Sequence, residues 1–470
     1  MAKININAKP FQNVDPSNLT GDQAEDAYNC YLNELGRTVS RFGLLAYITI
    51  TSGVNPIDGM YWWDAKSYAL TVDSGKSKTL DINGNVTNHT NALLETGERV
   101  TFAENASYVL MANGAKMSYT DGTTMTQVAS AAPVTVSHVA FIDQYAICNK
   151  VGTGRFYFAD FTGEPSTWVS TDFYTAESSP DNLIALTVLN NEIMLFGDEN
   201  LEHWQSDSRG PFSRINSKIF QYGIIAKHSL VNTGQEVYWL SNKRRIIKSS
   251  GGVPTEISTP FDKTFGKITT VSDCTADYVI QEGQNFIIFN FKTENRTFMY
   301  NITTDSWSEI SWWDKVTAQH RAWLGNNYLY CPDWNQHLVG SRKTGLIYKL
   351  DKTYYTDNTD NIYFQKTSGN DDQGTKKWKM CPKVIFTLRR GVGISGDLTT
   401  VPKLLVRYRD NGSKTWSNSR EISLGKIGEY DSIIETYDWG QFKSRQWQAY
   451  TTAKVPIEII DMEADIEVLE

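Results

Sequence analysis

The chain has 470 residues, 12% of them aromatic, and its formal net charge is −8. Aromatic side chains fit the pleated surface of strands, so this composition favours a β-rich fold. An acidic chain lacks the basic face with which a general nucleic-acid binder neutralises phosphates, although DNA can slide along an acidic wall without adhering to it. No run of about 18 apolar residues occurs, so we expect no membrane-spanning helix and no membrane insertion.

The first 50 residues are interpreted as an N-terminal arm and docking segment. The opening residues lack the apolar core of a secretory signal. Residues 16–35 fit either an amphipathic helix, with its apolar positions within 22–35, or an extended arm, and the sequence leaves both open.

Residues 51–365 are assigned to a β-propeller, because strand-like runs recur there in groups broken by Gly, Asn and Asp. Equivalent strands occur near residues 61, 101, 140, 185, 238, 287 and 328. Steps of about 40 to 50 residues suit four-stranded propeller blades. The sequence therefore predicts an all-β protein with a propeller of about seven blades.

Residues 366–377 are polar and contain glycine, which is typical of a linker or a long exposed loop. From residue 378 to 470 the pattern changes to six or seven antiparallel strands with partial alternation. Such a density of strands suggests a separate C-terminal β-sandwich.

Catalytic and metal-binding signatures are missing from the sequence. It contains no nucleophile elbow, no phosphate-binding loop, no HExxH and no dinucleotide fingerprint, so we expect neither an enzyme nor a cofactor. The five cysteines are widely scattered without ligand spacing, which favours free buried thiols in a reducing compartment. The glycine-rich stretch 391–396 lies between strands and is interpreted as a loop.

One hairpin invites an enzymatic interpretation. Residues 408–416 resemble the Asp-box of sialidases, with one extra residue between Gly412 and Thr415 and with Tyr408 in place of the first Ser. A structural hairpin, turned at Asn411-Gly412 with Trp416 packed on the sandwich, is the simpler interpretation.

Two basic clusters are the candidate contacts for a partner or for DNA: Lys243, Arg244 and Arg245, and then Arg389 and Arg390. Exposed turns and strand ends commonly carry such charges for solubility alone. Docking onto an acidic protein or touching DNA is the functional alternative.

Three segments carry a family resemblance. Residues 29–36, followed by Arg41-Phe42-Gly43-Leu44, resemble the "N-x-Y…E…R-P-G-L" signature of tail proteins of short-tailed phages, with Phe42 where Pro is usual. Residues 189–204 resemble their "L-F-G…E-x-W" strand pair. Residues 407–430 resemble their "D-x-G…T-W…R…S-L-G-x-x-G-x-Y" hairpin.

The family is that of tail nozzle proteins, also called tail accessory or packaged-DNA stabilisation proteins. The resemblance implies a propeller with an added β domain, and six copies stacked below the portal and adaptor ring. It further implies contacts with a tail needle, fibres or spikes, a channel that holds packaged double-stranded DNA and releases it at ejection, and a place in the virion tail after assembly in the host cytoplasm.

Two hypotheses of different classes follow. The first is a structural virion protein, a subunit of a tail nozzle ring. The alternative is a glycan-binding or sialidase-like propeller that acts on a host carbohydrate. A WD-type scaffold is a weaker third hypothesis, because no repeated Gly-His…Trp-Asp pattern occurs.

Overall fold

A computed structural model describes residues 2–11, 19, 23–91, 93–129, 131–176, 181–208, 210–351, 353–393 and 400–469. Strands account for 52% of the chain and helices for 4%, which confirms the all-β class. The helical pieces among the described residues are short, namely the α-helix Asp262–Lys267 and the 3-10 turns Asp64–Lys66, Lys227–Ser229, Thr259–Phe261 and Pro332–Trp334.

Six four-stranded antiparallel units, here called blades 1 to 6, lie around a common axis, and blades 5 and 6 are parts of larger sheets. The innermost strands of neighbouring blades contact each other, and between blades 4 and 5 the contact runs through the 3-10 turn Lys227–Ser229. From the axis outward their strands are Gly59–Trp63, Tyr68–Asp73, Lys76–Leu80 and Val86–Asn88 (blade 1); Thr101–Glu104, Val109–Ala112, Ser118–Thr120 and Met125–Gln127 (blade 2); Val139–Ile142, Tyr145–Asn149, Arg155–Asp160 and Phe173–Thr175 (blade 3); Leu183–Leu189, Glu192–Gly197, Leu201–Asp207 and Gly210–Phe220 (blade 4); Cys274–Gln281, Gln284–Phe291, Arg296–Asn301 and Ser306–Glu309 (blade 5); Gly325–Cys331, Gln336–Ser341, Gly345–Asp351 and Gly43–Thr51 (blade 6).

Local turn chemistry defines the blades. Ser74 and Gly75 both have positive φ, and so do Glu282 and Gly283, which is the geometry that a two-residue hairpin turn requires. Each blade packs against both neighbours, so its strands bury both faces. The second strand of blade 5, Gln284–Phe291, has a single half-buried residue and seven buried ones.

A seventh four-stranded sheet, here called the short sheet, lies between blades 4 and 5 and comprises Val231–Asn232, Val237–Leu240, Ile246–Ser249 and Thr255–Glu256. Its innermost strand has two residues, whereas those of the six blades have four or more. The 3-10 turn Lys227–Ser229 takes the position beside the inner strand of blade 5. Within the described residues the ring is therefore one of six blades, and the predicted count of seven is wrong because the fifth strand group lacks a full inner strand.

The N-terminal segment closes the ring. Strand Gly43–Thr51 is the outermost strand of blade 6 and pairs antiparallel with Gly345–Asp351, with Gly43 opposite Asp351 and Thr51 opposite Gly345. In the segment 16–35, for which helix and extended arm were both open, residues 16–18 and 20–22 lie outside the described residues. Residues 34 and 35 form a turn, and residues 23–32 are extended. They contain the short strands Asp26–Tyr28 and Cys30–Leu32.

Two further sheets form around the C-terminal residues. Sheet A has the order Ile433–Tyr437, Lys379–Leu388, Glu458–Val468, Thr38–Ser40 and Cys30–Leu32, with Ala2–Lys3 and Gln441–Phe442 at its sides; sheet B has the order Asp26–Tyr28, Phe364–Thr367, Arg445–Thr451, Lys403–Asp410 and Arg420–Ser423. One apolar core is shared between them, with Trp439 fully buried at its centre. Small pairings complete the inventory of strands: Lys9–Pro10 with Gln23–Ala24, Ser311–Asp314 with Gln319–Ala322, and Thr356–Asp357 with Asp360–Asn361.

The C-terminal sandwich predicted for residues 378–470 is not confirmed as a separate unit. Both sheets contain strands from the N-terminal 40 residues, and sheet B continues blade 5 through the bridge between Glu309 and Tyr28. The domain boundaries stay predictions. In the segment 366–377, Lys366 and Thr367 end a strand of sheet B, and Asp371 bridges to Arg445.

Candidate interaction surfaces

Metal-binding clusters do not occur among the residues that the structure describes. No three His, Cys, Asp or Glu side chains there are placed to hold one metal ion. The five cysteines are buried free thiols, and burial raises the pKa of Cys30 to about 12. A thiol with such a pKa stays protonated and unreactive near neutral pH. Over the same residues, no helix combines the length and apolar character needed to cross a bilayer.

The basic turn 241–245 joins two strands of the short sheet, and its arginines already have partners. Arg244 has a positive φ and donates from Nη1 to the carbonyl oxygen of Ile268 at 2.9 Å. Arg245 pairs with Glu256 at 2.5 Å and with Asp262 at 3.3 Å, which raises its pKa. Lys243 is exposed, and its Nζ lies 5.4 Å from the ring centre of Tyr222. Of the three predicted contacts, Lys243 presents its charge to solvent.

Arg389 and Arg390 follow the sheet A strand Lys379–Leu388. As in the turn 241–245, one of these cations is exposed and the other binds groups of the chain itself. Arg390 donates to the carbonyl oxygens of Ser423 and Asp431 at 3.1 and 2.5 Å and so fixes a loop. The Arg389 side chain is exposed, with Nη1 4.0 Å from a carboxylate oxygen of Glu458. The structure thus splits the predicted residues between two distant elements of the chain, and each cluster keeps one exposed cation.

At the axial end of the propeller where the inner strands begin, charged residues from different blades meet. The guanidinium of Arg99 pairs with both carboxylate oxygens of Asp277 and donates to the carbonyl oxygen of Asn326 at 2.8 Å, which links blades 5 and 6 to the chain entering blade 2. Burial lowers the pKa of the nearby Lys292 and raises that of Asp58 to about 6. This axial network fastens blades to one another.

Two buried histidines, His138 and His228, pack together near the same end of the ring. The rings of His138 and His228 stack at 5.4 Å, and Nε2 of His138 lies 3.0 Å from the carbonyl oxygen of Lys227. Burial lowers the pKa of His138 to about 3 and that of His228 well below its usual value. Both are therefore neutral at physiological pH, and they hold the 3-10 turn Lys227–Ser229 against blade 3.

Asn29 and Arg41 of the first family signature are buried and form a hydrogen-bond network. Arg41 forms a two-pronged ion pair with Asp357 and donates from Nε to Oδ1 of Asn29 at 2.8 Å. Asn29 donates in turn to Oγ of Ser311 at 3.0 Å. A Cβ at Gly43 would lie 2.4 Å from the carbonyl oxygen of Thr356, so only glycine fits there. The signature residues fasten the arm to blades 5 and 6.

The other two signatures also have structural roles. In blade 4, Nε1 of Trp204 donates to a carboxylate oxygen of Glu202 at 3.1 Å, and both side chains are buried. In sheet B, Asp410 pairs with the buried Arg445 at 2.7 and 2.9 Å. The guanidinium of Arg445 lies 3.9 Å from the ring centre of Tyr408, inside the core shared by sheets A and B.

The outer face of sheet B carries a row of stacked planar side chains that the sequence did not predict. In spatial order, the members of this aromatic row are Trp313, Tyr363, Tyr450, Arg407, Trp416 and Arg409. The centre-to-centre or guanidinium-to-ring distances along it are 4.5, 6.1, 4.9, 5.0 and 4.7 Å, in that order. All six side chains are half-buried. Trp416 therefore packs on the outside of the sheet and is not part of its core.

A closed ring of small sheets, held by buried ion pairs and glycine contacts, defines a β-propeller protein whose conspicuous residues are structural. Residues 47–355 match the family described as Bacteriophage P22 Gp10, β-propeller. The match spans well over half of the chain, so the chain belongs to this family of phage tail structural proteins and is a virion component.

Other comparisons are much weaker. The extracellular domain of BT4673 from B. thetaiotaomicron superposes with a TM-score of 0.44 at 8% identity, over 87% of this chain and 60% of that one. The computationally designed Ika8 protein gives a TM-score of 0.38 at 10% identity, over 75% of this chain and 100% of the design. The chain thus spans 60% of the length of the first of these structures. A search for similar sequences among curated proteins finds no match.

Proposed function

We propose that the chain is a subunit of a tail nozzle ring that extends the portal and adaptor channel, retains packaged DNA and conducts it during ejection. The observation that carries this proposal is the family membership over residues 47–355. The ring would contain six copies and would sit in the virion tail after assembly in the host cytoplasm. Its other partners would be the adaptor ring and the tail needle, fibre or spike proteins.

The mechanism would be geometric and electrostatic, with no bond chemistry. A wall that resists the pressure of packaged DNA must not deform, and the half-buried ion pair Arg99–Asp277 and the buried pair Arg41–Asp357 join separate elements within the propeller. The net charge of −8 suits a conduit, because like charges keep a duplex from adhering as it moves.

Exposed basic side chains would contact the DNA as it passes or bind an acidic partner. Lys243 and Arg389 are the two predicted contacts whose charged groups are exposed, whereas Arg244, Arg245 and Arg390 already bind groups of the chain itself. Replacement of Lys243 or Arg389 by Gln should therefore change contacts with DNA or a partner without unfolding the protein. Replacement of the other three should chiefly affect stability.

Reconstitution tests the nozzle proposal. The purified chain would be mixed with a portal–adaptor complex from the same phage and examined by mass measurement and negative-stain imaging. We expect a ring of six copies stacked below the adaptor. A chain that stays strictly monomeric and shows no affinity for the complex would contradict the proposal.

DNA retention can be tested separately in particles. Capsids produced by a phage mutant that lacks the gene for this chain should lose their DNA to added nuclease. Addition of the purified chain to these capsids should restore protection. Full protection without the chain would rule out a role in retention while leaving a place in the tail intact.

A further inference from the structure

The outer faces of sheets A and B point in opposite directions, because the two sheets share one core between them. In sheet B, Val406 and Tyr408 pack into or against that core, so the alternate residues Arg407 and Arg409 point outward. In sheet A, Met462 lies in the core, and its strand neighbours point outward in the same way. Each copy of the chain therefore presents two unlike sheet faces on opposite sides.

Arg407 is the distinctive group on the sheet B face. Its guanidinium lies between the rings of Trp416 and Tyr450, at 5.0 and 4.9 Å, and its Nε donates to Oε1 of Gln448 at 2.7 Å. No carboxylate of the described residues lies within 4 Å of it, whereas the neighbouring Arg409 pairs with Glu25. Arg407 is thus a rigidly held cation without a counterion. Rigid Trp, Tyr and Arg side chains dominate the binding energy of protein interfaces.

The outward face of sheet A has the opposite character. Its strand Glu458–Val468 presents Asp461, Glu463 and Asp465 at alternate positions. Lys3 lies opposite Glu463 but pairs with Asp461 at 3.1 Å, and Lys383 pairs with Glu435 on the edge strand, so the carboxylates of this face outnumber its lysines. The edge strand Ile433–Tyr437 of sheet A presents Ile433 and Tyr437 on the same face, and these side chains are 54% and 56% exposed. Carboxylates next to exposed apolar side chains are what a surface of arginine and aromatic rings would bind.

We propose that the aromatic row on sheet B of one copy binds the acidic outer face of sheet A of the next copy, with Arg407 opposite Glu463. This inference rests on the proposed ring function and identifies the surfaces that would form the ring. Two unlike faces on opposite sides of one unit make a head-to-tail contact, which generates a closed ring when the rotation between copies closes. Glu463 has no ion pair within 4 Å among the described residues, so the pair would satisfy both partners.

Charge exchange tests the pairing. Arg407→Glu and Glu463→Arg would be made singly and together in the full chain, and ring assembly would be followed by mass photometry and analytical ultracentrifugation. Each single reversal places like charges in contact, so we expect the association constant between copies to fall by roughly tenfold or more. The double variant should recover most of the assembly. Lys76→Glu, an exposed reversal in blade 1, should assemble like the unchanged chain.

The outcomes separate the two proposals. If the unchanged chain forms rings and Arg407→Glu forms them equally well, the pairing is refuted while the nozzle function stands. Single reversals that block assembly without recovery in the double variant would also refute the pairing and would point to another occupant, such as the adaptor. Absence of any ring, alone or on a portal–adaptor complex, would contradict both. Thermal unfolding of each variant identifies loss of folding, and Arg407→Gln provides a milder replacement.

Discussion

Arg41 and Asp357 form a two-pronged ion pair between parts of the chain that are far apart in sequence, at 2.9 and 2.6 Å, with side chains only 4% and 1% exposed. The remaining donors of the guanidinium also have acceptors, namely Oδ1 of Asn29 and the carbonyl oxygens of Phe42 and Ser311. A buried charge is tolerated only when it is paired and hydrogen-bonded in this way. The pair therefore fixes where the N-terminal arm enters the propeller.

Replacement of Asp357 by Asn should destabilise the protein by about 3 to 5 kcal/mol, because it leaves a buried arginine without its counterion. Urea unfolding followed by tryptophan fluorescence would measure the loss. The exposed pair Lys403–Glu421 is the matched control, and Lys403→Met should cost less than about 1 kcal/mol. Equal effects at the two sites would mean that Asp357 is accessible to water in solution.

Gly43→Ala should weaken the closure of blade 6. The new Cβ would lie 2.4 Å from the backbone oxygen of Thr356, and overpacking of this kind costs about 1 to 3 kcal/mol. Gly266, which lies in the helix Asp262–Lys267 with open space around it, provides the control. Hydrogen exchange of Gly345–Asp351 should accelerate in the Gly43 variant only. An unchanged exchange rate in Gly345–Asp351 would show that the hairpin 356–361 moves to accommodate the added methyl group.

Two tryptophans of the C-terminal region should respond differently to replacement by Ala. Trp439 is fully buried in the shared core, so its loss should cost about 3 to 5 kcal/mol. Trp416 is half-buried over Arg407 and Arg409, so its loss should cost about 1 to 2 kcal/mol. Chemical unfolding of both variants compares them directly. A cost at Trp416 as large as that at Trp439 would place it inside the core.

Asp26 should make stability depend on pH. Its Oδ1 is buried and has no hydrogen-bond partner among the described residues, and burial together with the nearby Glu25 raises its pKa from 3.8 to about 7. The folded state therefore holds a proton that the unfolded state releases between about pH 4 and 7, so this group costs stability as the pH rises through that window.

Asp26→Asn should consequently match the unchanged protein near pH 4 and exceed it at pH 8 by at least about 1 kcal/mol. Urea unfolding at the two pH values measures the difference between the proteins. A constant difference across the range would mean that Asp26 ionises normally in the folded state.

Local signals explain why blade spacing could be predicted from the sequence. Turn residues with positive φ, such as Gly75, Asn191 and Gly283, act within a few residues of chain and so are visible in the sequence. The blade count was wrong because the inner position beside the short sheet depends on tertiary contacts. There His228 stacks on His138, and the hydroxyl of Ser229 donates to the carbonyl oxygen of Ala226 at 2.7 Å, which holds a 3-10 turn at the inner position.

The surfaces were harder to predict than the fold. The arginines of the turn 241–245 could be located in the sequence, but their binding to Ile268 and Glu256 depends on which loops the fold brings alongside. The aromatic row gathers residues from separate strands and loops between Trp313 and Tyr450, and no spacing rule connects them. Alternation of Arg407 and Arg409 along one strand was the only local signal of that row.

Strand Gly43–Thr51 leaves the ribosome about 300 residues before its partner Gly345–Asp351, which at bacterial synthesis rates is a wait of roughly 15 to 60 seconds. Throughout that time its backbone is an unpaired edge, and the last blade cannot form. A chain terminated before residue 345 would keep this edge open and lack sheets A and B as well. Only a copy translated beyond residue 351 can therefore close the ring, which would keep shorter copies out of the assembling tail.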